Sequence, residues 1–365
     1  MTFHIAHNYG AMLQAYALEK KINQLGYDCE VLDYRFPYID NWSGIRTLKE
    51  LQQEFGILIG TLKFVKRRLT CYRKISPARK KFNDFMRNEL DLSKEVYFNK
   101  QELHKAEYDY IVFGSDQIWN PDLTDGFATE YMGEYFSRKT KLVSYAASCG
   151  LDCFKPQWKE VYYPLLKKFT ALGIREEPLA EYIAKNYGLN AKTVLDPVFL
   201  LEPKAWREPG KSSDLSVNRP YLLIYAFQTD DEIYRLARRI AKERSLKLVT
   251  ISYQREEKLD DMIQLTSCGP KDFIALIENA DFICTTSFHG MAFSIIFEKS
   301  FYCIGHPKYS SRNYSLLNMI EMTDRMVSRA SDVNVIEDCD YSGAGKILEQ
   351  KRQESIDFIA NALEA

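Results

Sequence analysis

The 365-residue chain is 46% apolar and 13% aromatic, enough for more than one buried core, and its length suggests about two domains of roughly 100–200 residues each. Charged residues make up 27% and the formal net charge is −1, so no global electrostatic bias points to nucleic acid. No uncharged apolar run reaches the roughly 18 residues of a membrane span and no basic-then-apolar leader opens the sequence, so a cytoplasmic protein is expected.

In chain order, "MTFHIAHNYGA" begins on what reads as the last residues of a first strand, so a few residues of that strand are expected before Met1. A helical pattern over 11–26 leads to the β-type run 29–35. Residues 40–105 read as a mostly helical insertion. Within it, Lys63 to Lys81 holds nine Lys/Arg and no acid, directly after the apolar "FGILIGTLKFV". An amphipathic helix meeting anionic lipid at the inner membrane face is one explanation; a solvated basic face is the simpler one.

Short β-type runs follow at 108–114, 141–147, 171–176 and 192–197, with a helix over 178–188. Such alternation implies parallel strands with helices on both faces. The polar, turn-rich stretch 206–220 interrupts it and reads as a linker. The pattern then restarts with strands at 221–227, 247–253, 281–285 and 301–305, and helices at 231–245 and 270–280. The economical reading is two doubly wound α/β domains, 1–205 and 221–335. A C-terminal helix within 336–365 can cap either. The eight cysteines are scattered with no CxxC pair, so core thiols are expected rather than disulfides or a zinc site.

Ligands of open α/β sheets sit beyond the carboxyl ends of the strands. That rule selects "NYGA" (8–11), "FGSDQIWNP" (113–121), "SYAASCG" (144–150), "GIREE" (173–177) and "TSFHG" (286–290). Each has a structural alternative. Gly10 and Gly114 can be turn glycines, Asp116 a helix cap and Trp119 core. Arg175 can belong to a surface ion pair, and His289 can be a satisfied core histidine. All five stretches nevertheless fall at the same kind of position, which coincidence explains poorly.

These residues carry a resemblance. "TFHIAHNYGAMLQAYAL", "GSDQIWNP", "SYAASCG", "IREE", "VLDPVFLL", "GPKDFIALIENADFICTTSFHGMAFSIIF" and "SSRNYSLLNMIEMTDR" resemble, in order, the successive blocks of the polysaccharide pyruvyl transferase family. The resemblance implies a GT-B-like architecture, two Rossmann-like domains facing a cleft. It also implies transfer of pyruvate from phosphoenolpyruvate to two hydroxyls of a sugar or lipid-linked glycan, forming a cyclic ketal in cell-surface or exopolysaccharide synthesis. That scheme requires no metal and no redox cofactor.

Carried over by residue, His289 matches the family's essential histidine and is expected as general acid/base. Arg175 is expected on the donor's carboxylate or phosphate. Lys308 and Arg312 are further cationic candidates, and Gly290 is expected to leave backbone N–H groups open to an anion. Asn8, Gly10, Gly114, Ser115, Asp116, Trp119 and Ser287 are expected to line the cleft or meet the acceptor, Trp119 by stacking on a sugar ring. One departure is visible. Members often read "SRLHG", whereas here Ser287 and Phe288 precede the histidine, a form that resembles a distinct branch and leaves Arg312 or Lys308 to supply the missing charge. The rivals are a nucleotide-sugar glycosyltransferase on the same architecture and a non-catalytic sugar-binding relative. A dinucleotide oxidoreductase fits less well, because no GxGxxG follows a strand.

Overall fold

The computed structural model describes residues 1–35, 52, 56–124, 126–226, 231–252, 259–305 and 310–364, with backbone alone at 60, 63–76, 310 and 311. Its core is three parallel sheets: two-stranded β1–β2, four-stranded β3–β4–β5–β6, and six-stranded in the order β12–β11–β10–β7–β8–β9. Helices pack on these sheets, so the molecule is α/β with two Rossmann-like halves, as the alternating pattern predicts.

The first half opens with residues 1–8, then α1 (Tyr9–Gln24) and β1 (Val31–Tyr34). The Met1 nitrogen donates to Val112 O at 2.6 Å, and the Gly114 N–H donates to Met1 O at 3.1 Å. On the other side, His4 Nε2 lies 3.0 Å from Asp33 Oδ1. Residues 1–4 thereby bridge the two sheets of this half. α2 (Ile57–Glu89) and β2 (Leu92–Tyr97) follow. Of the insertion expected at 40–105, residues 57–89 are helical, 40–51 and 53–55 lie outside the described residues, and 92–97 form a strand that pairs parallel with β1, Asp33 opposite Val96. Polar residues fill most of β2, so no alternating apolar pattern revealed it.

β3 (Tyr110–Phe113) and β4 (Lys141–Ala147) lead through α3 (Lys159–Leu166) to β5 (Phe169–Ile174). α4 (Glu177–Tyr187) and β6 (Ala191–Thr193) complete this half. β4 is buried at every residue after Lys141, the continuous apolar run of a strand covered on both faces. Residues 206–220 are not wholly irregular: α5 (Pro203–Lys211) covers their start and packs between the halves, with Trp206 5.6 Å from Tyr16 of the first and 4.9 Å from Phe293 of the second between ring centroids. Pro203 opens that helix at a position where proline is well tolerated.

The second half runs β7 (Tyr221–Tyr225), α6 (Asp231–Arg244), β8 (Lys247–Ile251), β9 (Ile263–Leu265), α7 (Pro270–Asn279), β10 (Phe282–Thr285), α8 (Phe288–Ile296), β11 (Phe301–Ile304), α9 (Ser310–Met319) and β12 (Met326–Val327). α6 buries Ile233, Leu236, Ala237 and Ile240 while its arginines 235, 238 and 239 face outward, the spacing of a one-faced helix. The chain steps outward from β7 to β9 and returns to place β10 beside β7. The carboxyl ends of β7 and β10 therefore form a topological switch point.

α10 (Ala344–Glu364) returns to the first half. Ser355 Oγ accepts from Leu195 N at 2.9 Å, and Ile359, Ala362 and Leu363 pack with Val143, Tyr145 and Val194. One core cluster runs through both halves, including Tyr9 stacked on Phe273 at 4.6 Å.

Candidate active site at the junction of the two sheets

The two halves meet where α1 begins and α8 begins. α8 starts as the sequence suggests: Ser287 is its N-cap and accepts from Gly290 N at 3.3 Å. Thr285 Oγ1 donates to Tyr225 O at 2.7 Å, tying β10 to β7 just before His289. His289 is 7% exposed and lies directly on α1, since a Cβ added to Gly10 would stand 1.9 Å from its Nδ1. Only glycine admits this approach.

Across the junction stands Asp196, at the end of the strand β6 region. Its Oδ2 accepts from Ser115 Oγ at 2.9 Å and from Arg175 Nη1 at 3.0 Å. The same oxygen lies 3.7 Å from His289 Nε2, an ion-pair distance too long for a hydrogen bond. Burial alone would raise the Asp196 pKa; His289 and Arg175 outweigh it and hold the carboxyl well below the usual range. Arg175 also donates through Nε to Glu176 Oε1 at 3.2 Å, and that oxygen accepts from Ser148 Oγ at 2.6 Å. Burial would lower the Arg175 pKa, but Glu176, Asp196 and Asp116 raise it above its ordinary value.

Phe288 completes the arrangement. Its ring, on the second half, lies 4.9 Å from the Arg175 guanidinium carbon of the first half, a cation–π contact across the junction. Three buried polar atoms of this cluster have no hydrogen-bond partner among the described residues: Arg175 Nη2, Glu176 Oε2 and His289 Nε2. Buried polar groups are nearly always hydrogen-bonded, so three orphans on adjoining side chains call for an explanation.

His289, Arg175 and Ser115 thus converge on one carboxylate, with Gly10 packed against the imidazole. Asn8 flanks them as the N-cap of α1, its Oδ1 accepting from Ala11 N at 3.2 Å. Gly114 has φ 125°, and a Cβ there would stand 2.1 Å from Tyr145 O. Asp116 is partly exposed and accepts from Gln117 N at 2.8 Å. Gly290 does not offer its N–H to an anion, because Ser287 takes it; glycine is needed because a Cβ would stand 2.3 Å from Thr285 Oγ1. Ser287, in turn, spends its hydroxyl on the cap. Trp119 does not face the cleft: it is buried, with its indole N–H on Tyr131 O at 3.0 Å and Phe154 and Phe169 around it. Arg312 lies partly buried in α9, and Lys308 falls outside the described residues.

Asp196 and Glu176 are not singled out from the sequence, although both lie in quoted blocks, and Phe288 is read there only as a departure from the family's pattern. The available signal for Asp196 was "DP" at a strand end, where the carboxylate also caps the turn by accepting from Val198 N at 3.2 Å.

A buried histidine, a guanidinium and two carboxylates at the junction of two parallel sheets define an α/β protein with a built polar site. The model of the polysaccharide pyruvyl transferase family matches residues 8–308, and the chain belongs to that family. It is accordingly a transferase. No curated protein matches the chain. Among solved structures it is similar to the UDP-GlcNAc 2-epimerase from Methanocaldococcus jannaschii, at 9% identity over 93% of this chain and 96% of that one, with a TM-score of 0.48. A UDP-GlcNAc 2-epimerase of that organism in complex with UDP-GlcNAc and UDP is similar at 12% identity, over 78% and 87% of the two chains, with a TM-score of 0.44. A protein described as a UDP-N-acetylglucosamine 2-epimerase from Listeria monocytogenes is similar at 10% identity, over 78% and 80%, with a TM-score of 0.43.

Proposed function

We propose that the enzyme transfers pyruvate from phosphoenolpyruvate to a pair of hydroxyls on a sugar or lipid-linked glycan, in cell-surface or exopolysaccharide synthesis. The observation that supports this reading is the trio of buried, unpartnered atoms Arg175 Nη2, Glu176 Oε2 and His289 Nε2. They offer one cationic N–H to an anionic donor group, one carboxylate oxygen to a hydroxyl, and one imidazole nitrogen between them.

In this scheme C3 of the donor gains a proton and C2 becomes oxocarbenium-like. One sugar oxygen bonds to C2, the C2–O bond to phosphate breaks, and the second sugar oxygen closes the ketal. Of the two hydroxyl protons released, one balances the proton added at C3 and the other leaves with phosphate. His289 is assigned the proton movements. Asp196, kept ionised by Arg175 and Ser115, faces the nitrogen that would carry the proton, and Gly10 and Phe288 fix the imidazole against the first half. Arg175 directs two of its nitrogens to carboxylates and keeps Nη2 for the donor's carboxylate or phosphate. Arg312 and Lys308 are assigned to the remaining donor charge.

Calorimetric titration of the purified protein with phosphoenolpyruvate, and then with a panel of nucleotide sugars, tests the proposal. Saturable phosphoenolpyruvate binding that weakens at least about tenfold in Arg175→Ala is expected, the cost of losing one charge-assisted contact. Saturation by a nucleotide sugar with none by phosphoenolpyruvate would overturn it.

A further inference from the structure

Among the described side chains, α2 is held to the body by its C-terminal third. Phe82, Phe85 and Met86 are buried, Phe82 lying 5.1 Å from the Tyr9 ring, and Lys81 Nζ reaches Asp272 of α7 at 2.7 Å. At the other end the helix turns its aliphatic side chains to solvent: Ile57 is 76% exposed, Leu58 80%, Ile59 56% and Leu62 68%. A rise of 1.5 Å per residue puts Leu62 about 30 Å along the axis from Phe82. Isolated exposed leucines are ordinary, but four within six residues at one helix end form a contiguous apolar tip. Beyond that tip, Lys63 to Lys74 carries six Lys/Arg, and no acid occurs anywhere from Ile57 to Lys81.

We infer that the N-terminal part of α2 docks on an anionic lipid surface, the aliphatic tip entering the headgroup region and the basic stretch meeting acidic lipids. Charge complementarity selects the occupant. An acid-free, six-cation stretch repels a second copy of itself, and with the aliphatic tip beside it supplies the two signals that stable interfacial binding requires. The root of the helix touches Tyr9, the neighbour of Gly10, and lies about 30 Å from the tip, so docking would tether the His289 junction within a few nanometres of a membrane. An acceptor carried on lipid would then meet the site without leaving the bilayer; this last step rests on the proposed pyruvyl transfer, whereas the docking does not.

Co-sedimentation with phosphatidylcholine vesicles, with and without phosphatidylglycerol, tests the inference on the full chain. Binding is expected only to the anionic vesicles, and it should weaken as salt is raised. Neutralising Lys66, Arg67 and Arg68 to Gln should lower vesicle affinity about a hundredfold, at roughly fivefold per charge. Leu58→Glu/Leu62→Glu should abolish binding while leaving the thermal midpoint unchanged, since both side chains are exposed. His289→Ala should bind vesicles like the unmodified protein, which separates failure of docking from failure of the proposed reaction. Equal binding to neutral vesicles, or anionic binding that survives the double leucine change, would overturn the interfacial helix. So would a dimer that dissolves on the double leucine change in a protein that ignores vesicles.

Discussion

Gly10→Ala tests the junction in a way that local helix energetics and the site geometry predict with opposite signs. Gly10 lies in the first turn of α1, where replacing glycine by alanine stabilises by up to about 1 kcal/mol if the methyl has room. Here it has none: the new Cβ would stand 1.9 Å from His289 Nδ1 and 2.4 Å from Cγ and Cε1. An ordinary contact is about 3.5 Å, so the ring must retreat by about 1.5 Å. The contact includes Cγ, the root of the ring, so a small tilt does not relieve it. Overpacking of this kind costs about 1–3 kcal/mol, which leaves the variant about 1–2 kcal/mol less stable than the parent. In a His289→Ala background the obstruction is gone, and the same change should stabilise by up to about 1 kcal/mol. Urea unfolding of the four proteins gives the cycle, in which the helix gain cancels and the expected coupling is the overpacking cost of about 1–3 kcal/mol. A Gly10→Ala effect of the same sign and size in both backgrounds would refute the junction as described.

Two further outcomes follow from the site. Because the Asp196 carboxyl is held below its ordinary range, its contribution to stability is fully present above 3.8 and is lost as pH falls through the depressed native value. Asp196→Asn should therefore cost about 3 kcal/mol at neutral pH, with unfolding curves that converge with those of the parent in acid; a gap independent of pH would contradict the buried ion pair. Trp119→Phe, which removes the N–H on Tyr131 O, should cost about 1 kcal/mol in urea unfolding and leave phosphoenolpyruvate titration unchanged; weakened ligand binding at unaltered stability would return Trp119 to the cleft.

The sequence made the apolar strands legible because a parallel strand covered on both faces must be written in Val, Ile, Leu and aromatics, as β4 and β7 are. The strands missed are short or polar: β2 has three exposed residues in a row, and β9 and β12 have three and two residues. They owe their state to backbone pairing with a formed neighbour, which leaves little mark on composition. The site was half legible for a related reason. His289, Arg175 and Ser115 follow strand ends, and strand ends can be found from pattern; Gly10 lies in the first turn of α1, and the strand expected before it is not formed by residues 1–8. Asp196 and Phe288 matter through partners more than twenty and one hundred positions away, a relation that exists only once the sheets are folded together. The same distance hid the burial of Trp119, whose ring is enclosed by Phe154 and Phe169; the Gly290 N–H is taken locally, by the Ser287 N-cap three positions earlier.

The return of α10 to the first half sets an order of assembly. Val143, Tyr145 and Val194 lie under Ile359, Ala362 and Leu363, so the first sheet keeps an uncovered apolar face until the last helix has been synthesised. The half that leaves the ribosome first is the half finished last, and the whole second half must be threaded through before its closing piece arrives. A nascent chain stalled after β12 would hold the second sheet complete and the first one open, which makes the earlier half the one in need of a chaperone.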